Sequence, residues 1–159
     1  MSNKTPQVFK KSFDDIYDLL EKAVEVCPPA LWMRKAGGFY YWQQLVHVFG
    51  LIDAFVLEPD APPTQTRYGL DILRLLKEGG PAPQKKEVLT LAKTMRTTAD
   101  AYFSRMTDDA LFTRNESRSQ RKKREVSQLE AMITLVGHGH FHVGACDALL
   151  RENGAAGLM

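Results

Sequence analysis

At 159 residues and 17.9 kDa the chain has the size of one ordinary domain, long enough to bury a hydrophobic core without disulfide support. Its 44% hydrophobic and 25% charged residues exclude a disordered composition, and 21 basic against 19 acidic residues leave a net charge of +2, too mild to imply a nucleic-acid partner. No apolar run approaches the roughly 20 residues of a membrane span, and the start, MSNKTPQVFKKSFDD, lacks the apolar core of a signal peptide, so a cytoplasmic address is expected.

In chain order, a first helix is predicted over Ser12 to Val26, with Ser12 as a cap, acids in the first turn, apolar Phe13, Ile16, Leu19, Leu20 and Val24, and a stop at Pro28-Pro29. WMRKAGGFYY reads as a loop leading into a second helix, Tyr40 to Leu57, which ends before Glu58-Pro59. Ala61 to Pro83 reads as irregular, with a short helical piece at Leu70 to Glu78 and punctuation at Gly79-Gly80-Pro81. Lys85 to Met106 carries Val88, Leu91, Met95, Ala99 and Tyr102-Phe103 at helical spacing. Thr113 to Glu125 is polar and basic, and a last helix runs from Val126 to Glu152, closed by Asn153-Gly154. No segment alternates with period two, so the expectation is an all-α four-helix bundle forming one domain over residues 1–159.

All four histidines fall on two of these helices, His47 on the second and His138, His140 and His142 on the last. Residues four apart differ by about 40° around a helix, so His138 and His142 can face one ion, while His140 points about 200° from His138. Two such histidines and a third from a neighbouring helix make a three-coordinate site for a divalent transition metal, with a position left for water or substrate. Small or polar neighbours leave room for a cavity: Ala131, Thr134 and Ala145 on the His138 face, and Tyr40, Gln43, Gln44, Gly50 and Ala54 on the His47 face. The competing reading is that each histidine is a core residue with satisfied nitrogens, and HxxxH alone is a weak signal.

The segments WQQLVHVFGLIDAF, MTDDALF and GHGHFHVGACDALLRENG resemble the DinB-like (DinB/YfiT) superfamily of bacterial four-helix proteins over most of the chain. The resemblance implies a metal triad of His47, His138 and His142, with zinc or nickel as the leading ions. Where many relatives carry a Gln after the fourth-helix Gly, this chain has Ala145, so an outer contact to the site is missing from the pattern. The resemblance further implies a thiol-dependent transferase or isomerase: a low-molecular-weight thiol such as bacillithiol or mycothiol, its pKa lowered at the metal, attacks a small electrophile. A metal-dependent hydrolase, or a stress-related metal-binding protein acting through protein contacts without turnover, are the alternatives. No Glu or Asp sits beside either histidine as a general base would in HExxH, and Asp53 lies about 240° around its helix from His47.

Other features have plainer readings. Arg114, Arg118, Arg121, Lys122, Lys123 and Arg124 form the one strong charge cluster and, lacking interleaved aromatics, read as a solvated loop. Cys27 and Cys146 match no CxxC or zinc spacing; Cys146 is about 80° around its helix from His138, able to border the cavity but more simply a buried thiol. Trp32 and Trp42 read as packing residues, with Trp42 turned away from His47. Leu129, Ile133, Val136 and Val143 form a second apolar stripe opposite the histidines, which predicts a homodimer.

Overall fold

A computed structural model describes residues 2–159, with Ala36 by its backbone alone. The described chain is mainly helical, as expected. Its helices are α1 (Lys4–Val26), α2 (Pro29–Trp32), α3 (Tyr41–Gly50), α4 (Asp53–Val56), α5 (Leu70–Leu73), α6 (Lys85–Ser104), α7 (Glu116–Lys122) and α8 (Gln128–Glu152). A two-stranded hairpin of β1 (Lys35–Ala36) and β2 (Phe39–Tyr40) precedes α3, and a 3-10 turn spans Asp109–Phe112.

The first helix begins eight residues before the predicted Ser12. Its N-terminal amides are served by a distant carboxylate, since Thr5 N–H donates to Asp108 Oδ1 at 2.9 Å, while Asp108 N–H donates to Ser2 O at 2.9 Å. A cap supplied from a hundred residues away leaves no local sequence mark. Phe13, Ile16, Tyr17, Leu20 and Val24 then form its buried face, as read from the sequence.

The α8 helix packs along α1 through Gly139, where an added Cβ would meet Ile16 Cγ2 at 2.7 Å. That Cγ2 is one bond from Ile16 Cβ and cannot retreat without moving α1. Gly139→Ala is therefore expected to lose about 1–2 kcal/mol, overpacking of about 1–3 kcal/mol outweighing the helix propensity gained. Denaturant unfolding checks this; a midpoint equal to or above the parent's contradicts the close approach. Ser127 caps α8 by accepting from Glu130 N–H at 3.1 Å, and Gly154 ends the run at φ 75°.

Two expectations are corrected here. The predicted helix Tyr40 to Leu57 is broken after Gly50: Ile52 N–H turns back to Phe49 O at 3.2 Å, and the chain restarts as α4. The second apolar stripe of α8 is partnered within the chain, because Val143 is buried and Val136 and Leu129 pack on the core. Ile133 alone of the four stands exposed, so the stripe no longer demands a second subunit.

All ten residues of α3 are buried, an unusual state for a helix in a small domain. The core formed by α1, α6 and α8 covers part of it, and the hairpin and the 61–83 segment cover the rest. Gly37 (φ 59°) and Gly38 (φ 90°) make the two-residue turn of the hairpin, which requires positive φ at both positions. Gln43 clasps the next loop, its Nε2 donating to Lys77 O at 2.7 Å and its Oε1 accepting from Gly79 N–H at 2.9 Å. No helix among the described residues is long and apolar enough to cross a membrane.

Candidate metal centre

The fold brings His47 from α3 to His138 and His142 from α8. His47 Nε2 lies 2.9 Å from His138 Nε2, and His142 Nε2 lies 3.1 Å from the same atom. The ring centroids are 4.6–4.9 Å apart, with the rings steeply inclined to one another. Two nitrogens bound to one ion at about 2.0–2.1 Å stand about 2.9 Å apart at a right angle and about 3.4 Å apart at the tetrahedral angle. Both observed separations fall within that interval. His140 is exposed on the opposite side of α8, as its helical angle required.

Proton accounting favours a cation over a self-satisfied cluster. His47 Nδ1 is 2.5 Å from Leu73 O, an atom that only accepts, so Nδ1 carries the proton and Nε2 presents a lone pair. His138 Nε2 faces both other Nε2 atoms, and a single proton there serves one neighbour only. At least one of the two short contacts is left without a hydrogen bond, whichever neutral tautomers are drawn. An ion among the three nitrogens would engage every Nε2 lone pair at once, which a cluster of neutral imidazoles alone does not.

The outer nitrogens differ. His47 is anchored through Leu73 O, whereas His138 Nδ1 and His142 Nδ1 are buried without a hydrogen-bond partner. Those two rings are oriented by packing, His138 against Phe55 (6.1 Å between centroids) and His142 against Phe141 (5.1 Å). Ala145, which the sequence pattern marked as a missing outer contact, lines the cavity beside them.

Burial, with the adjacent His47 and Arg118, pushes the His138 imidazole down to about 4, and burial, with His138 and His47, pushes His142 down to about 3. His47 is lowered by burial, against a raising effect from Leu73 O. All three are neutral near pH 7, the form that ligates. In the metal-free protein the unfolded chain takes up protons below its ordinary value of 6.5 while the folded one does not, so the triad's contribution to stability is intact above pH 6.5 and lost as pH falls toward 4. At about 1.4 kcal/mol per unit of separation, a loss of several kcal/mol is expected between pH 7 and pH 4.5. Denaturant midpoints measure it, and a His47→Gln, His138→Gln, His142→Gln triple variant that keeps the parent's slope would refute it.

A cavity of about 290 Å³ opens beside the triad. Gln44 lines it, as its place on the His47 face implied, but Gln43 is turned to the Lys77–Gly79 loop and Trp42 lies beneath Gly79, away from His47. Cys146 is fully buried and outside the cavity wall; burial pushes its thiol up to about 12 and that of Cys27 up to about 11, and both are free. Asp53 accepts Thr64 N–H at 2.7 Å through Oδ2 and lines a different cavity, so it offers the triad no base.

Sequence reasoning missed the surroundings of the triad. The basic stretch read as a loop contains α7, capped by Asn115 Oδ1 accepting Arg118 N–H at 2.9 Å; an Asn before ESRSQRK was the available signal. Five of its six basic residues are solvated, but Arg118 is buried, its guanidinium 4.1 Å from the centroid of the Phe55 ring that also contacts His138. The Leu73 carbonyl, reached from α5, had no sequence signal. No family profile, no curated protein and no solved structure matches this chain.

Proposed function

We propose that this chain is a metal-dependent protein of the DinB-like kind, a four-helix bundle in which His47, His138 and His142 hold one divalent ion, zinc or nickel. The convergence of three neutral Nε2 atoms, two of them 2.9 and 3.1 Å from the third, carries this reading. Three neutral ligands leave the ion's charge undiminished, and when bound it would lower the pKa of a thiol at its remaining position. A thiol-dependent transferase is the activity this arrangement supports best: the thiol would give up its proton to solvent, and its sulfur would displace a leaving group from a small electrophile held in the cavity, the electron pair of the broken bond departing with that group, which takes up a proton from solvent. Phe55 and Phe141 hold the rings of His138 and His142, and Leu73 O holds His47 in the ligating tautomer. Hydrolysis is the weaker reading, because among the described residues no carboxylate lines the cavity to serve as a base.

Elemental analysis of the purified protein tests the site: one equivalent of ion is expected, lost in the triad variants. Conjugation assays with model electrophiles and a panel of thiols test the reaction, and a metal-loaded protein inactive with all of them would leave a binding protein without turnover.

A further inference from the structure

The walls of the triad's cavity differ from what a highly charged ligand requires. Apart from the three histidines they are Gly37, Phe39, Gln44, Leu75, Phe141 and Ala145. Among the described residues, no charged side chain belongs to this wall. The nearby Arg118 is packed against Phe55 and is not part of the lining. Two wall residues are held at some cost. Phe141 is 70% exposed, a large apolar ring kept at the mouth rather than in the core, and Leu75 has a left-handed backbone with φ 53°. That residue is the left-handed cap that ends α5, closed by Leu76 N–H donating to Asp71 O at 2.9 Å, and the turn carries the Leu75 side chain to the cavity wall.

Resting on the metal-site reading above, we propose that the organic ligand of this cavity is a small molecule with one ionisable donor atom and an uncharged, apolar body, selected by Phe39, Leu75 and Phe141. The donor must be anionic, since an ion held by three neutral imidazoles carries two uncompensated charges and the wall supplies no carboxylate. The body must be small, because about 290 Å³ lies at the lower end of the range for small-molecule sites. An uncharged body is favoured, because Phe39, Leu75 and Phe141 offer an anionic group neither a cation nor a hydrogen-bond donor, while an apolar body covers their exposed and half-buried surfaces.

The test uses the full chain loaded with cobalt(II), whose thiolate charge-transfer absorption reports sulfur binding directly. Two aryl thiols of similar length are titrated at saturating cobalt, each affinity expressed per thiolate from its own pKa: 4-methylbenzenethiol and 4-mercaptobenzoate. The methyl compound is expected to bind at least tenfold more tightly, although the ion's charge alone favours the carboxylate. In Phe141→Ala this ratio is expected to fall toward one; being a ratio at saturating cobalt, it is insensitive to any change in cobalt affinity, and Phe141 is exposed enough to replace without loss of the fold. Equal or tighter binding of 4-mercaptobenzoate would overturn the inference and leave the metal site standing. Failure to take up cobalt at all would remove the metal site and the inference together. An unchanged ratio in Phe141→Ala would refute the role given to the mouth residues.

Discussion

Replacing His138 with alanine is expected to abolish stoichiometric metal binding, while replacing His140, two residues along the same helix, leaves it intact. His138 is the nitrogen that both others approach, so its removal leaves two ligands on different helices without the one that closes the set. Loss of an outer-shell partner costs about 10–100-fold in metal affinity, and loss of a direct ligand from a set of three must exceed that. The readout has two parts. Equilibrium dialysis gives the affinity, and thermal unfolding with and without metal gives the linked stabilisation, about 4 kcal/mol at a free ion concentration a thousandfold above Kd. His138→Ala should erase the metal-induced rise in Tm, and His140→Ala should keep it. If both variants retain the rise, the ion is elsewhere; if both lose it, the helical-face argument is wrong. His140 is a sound control because it is exposed on α8 while sharing the local sequence of the triad.

The contrast between these two histidines also shows what the sequence could reveal. Helical periodicity separates His138 and His142 from His140 by angle alone, and apolar spacing located the long helices α1, α6 and α8 within a few residues at most of their ends. Periodicity reports one helix at a time, however, and the features it missed arise between segments. The start of α1 depends on Asp108, and the burial of α3 on every side depends on a segment that reads as irregular. Arg118 was hidden for the opposite reason: its neighbours Arg121, Lys122, Lys123 and Arg124 are solvated, and composition assigned it their fate. The α8 stripe no longer argues for a second subunit because Val143 is buried and Val136 packs on the core within the chain, which no count of apolar positions on α8 alone could reveal.

Gly50 is where the break in the second helix and the candidate metal centre meet, and Gly50→Ala is expected to weaken both fold and site. A Cβ at this position would lie 2.4 Å from Leu73 Cδ2, 3.4 Å from Cδ1 and 3.5 Å from Cγ, so the whole isobutyl group faces it. Leu73 is buried; turning its Cδ2 into the cavity of about 190 Å³ that both residues line relieves part of the overlap, and the rest moves α5 away from α3. The cost in stability is that of overpacking, about 1–3 kcal/mol. The same displacement draws Leu73 O from His47 Nδ1, the one hydrogen bond that fixes the tautomer of a triad member, so metal affinity is expected to fall about 10–100-fold. A double variant separates the two effects. Leu73→Ala alone costs about 2–5 kcal/mol through its cavity yet keeps the backbone carbonyl, and in the Gly50→Ala, Leu73→Ala pair the new methyl occupies vacated space. The pair should recover metal affinity, and its stability should be higher than the sum of the single effects predicts, a coupling that a double-mutant cycle measures. Additive losses in both quantities would mean that Gly50 acts through the ending of α3 rather than through its contact with Leu73.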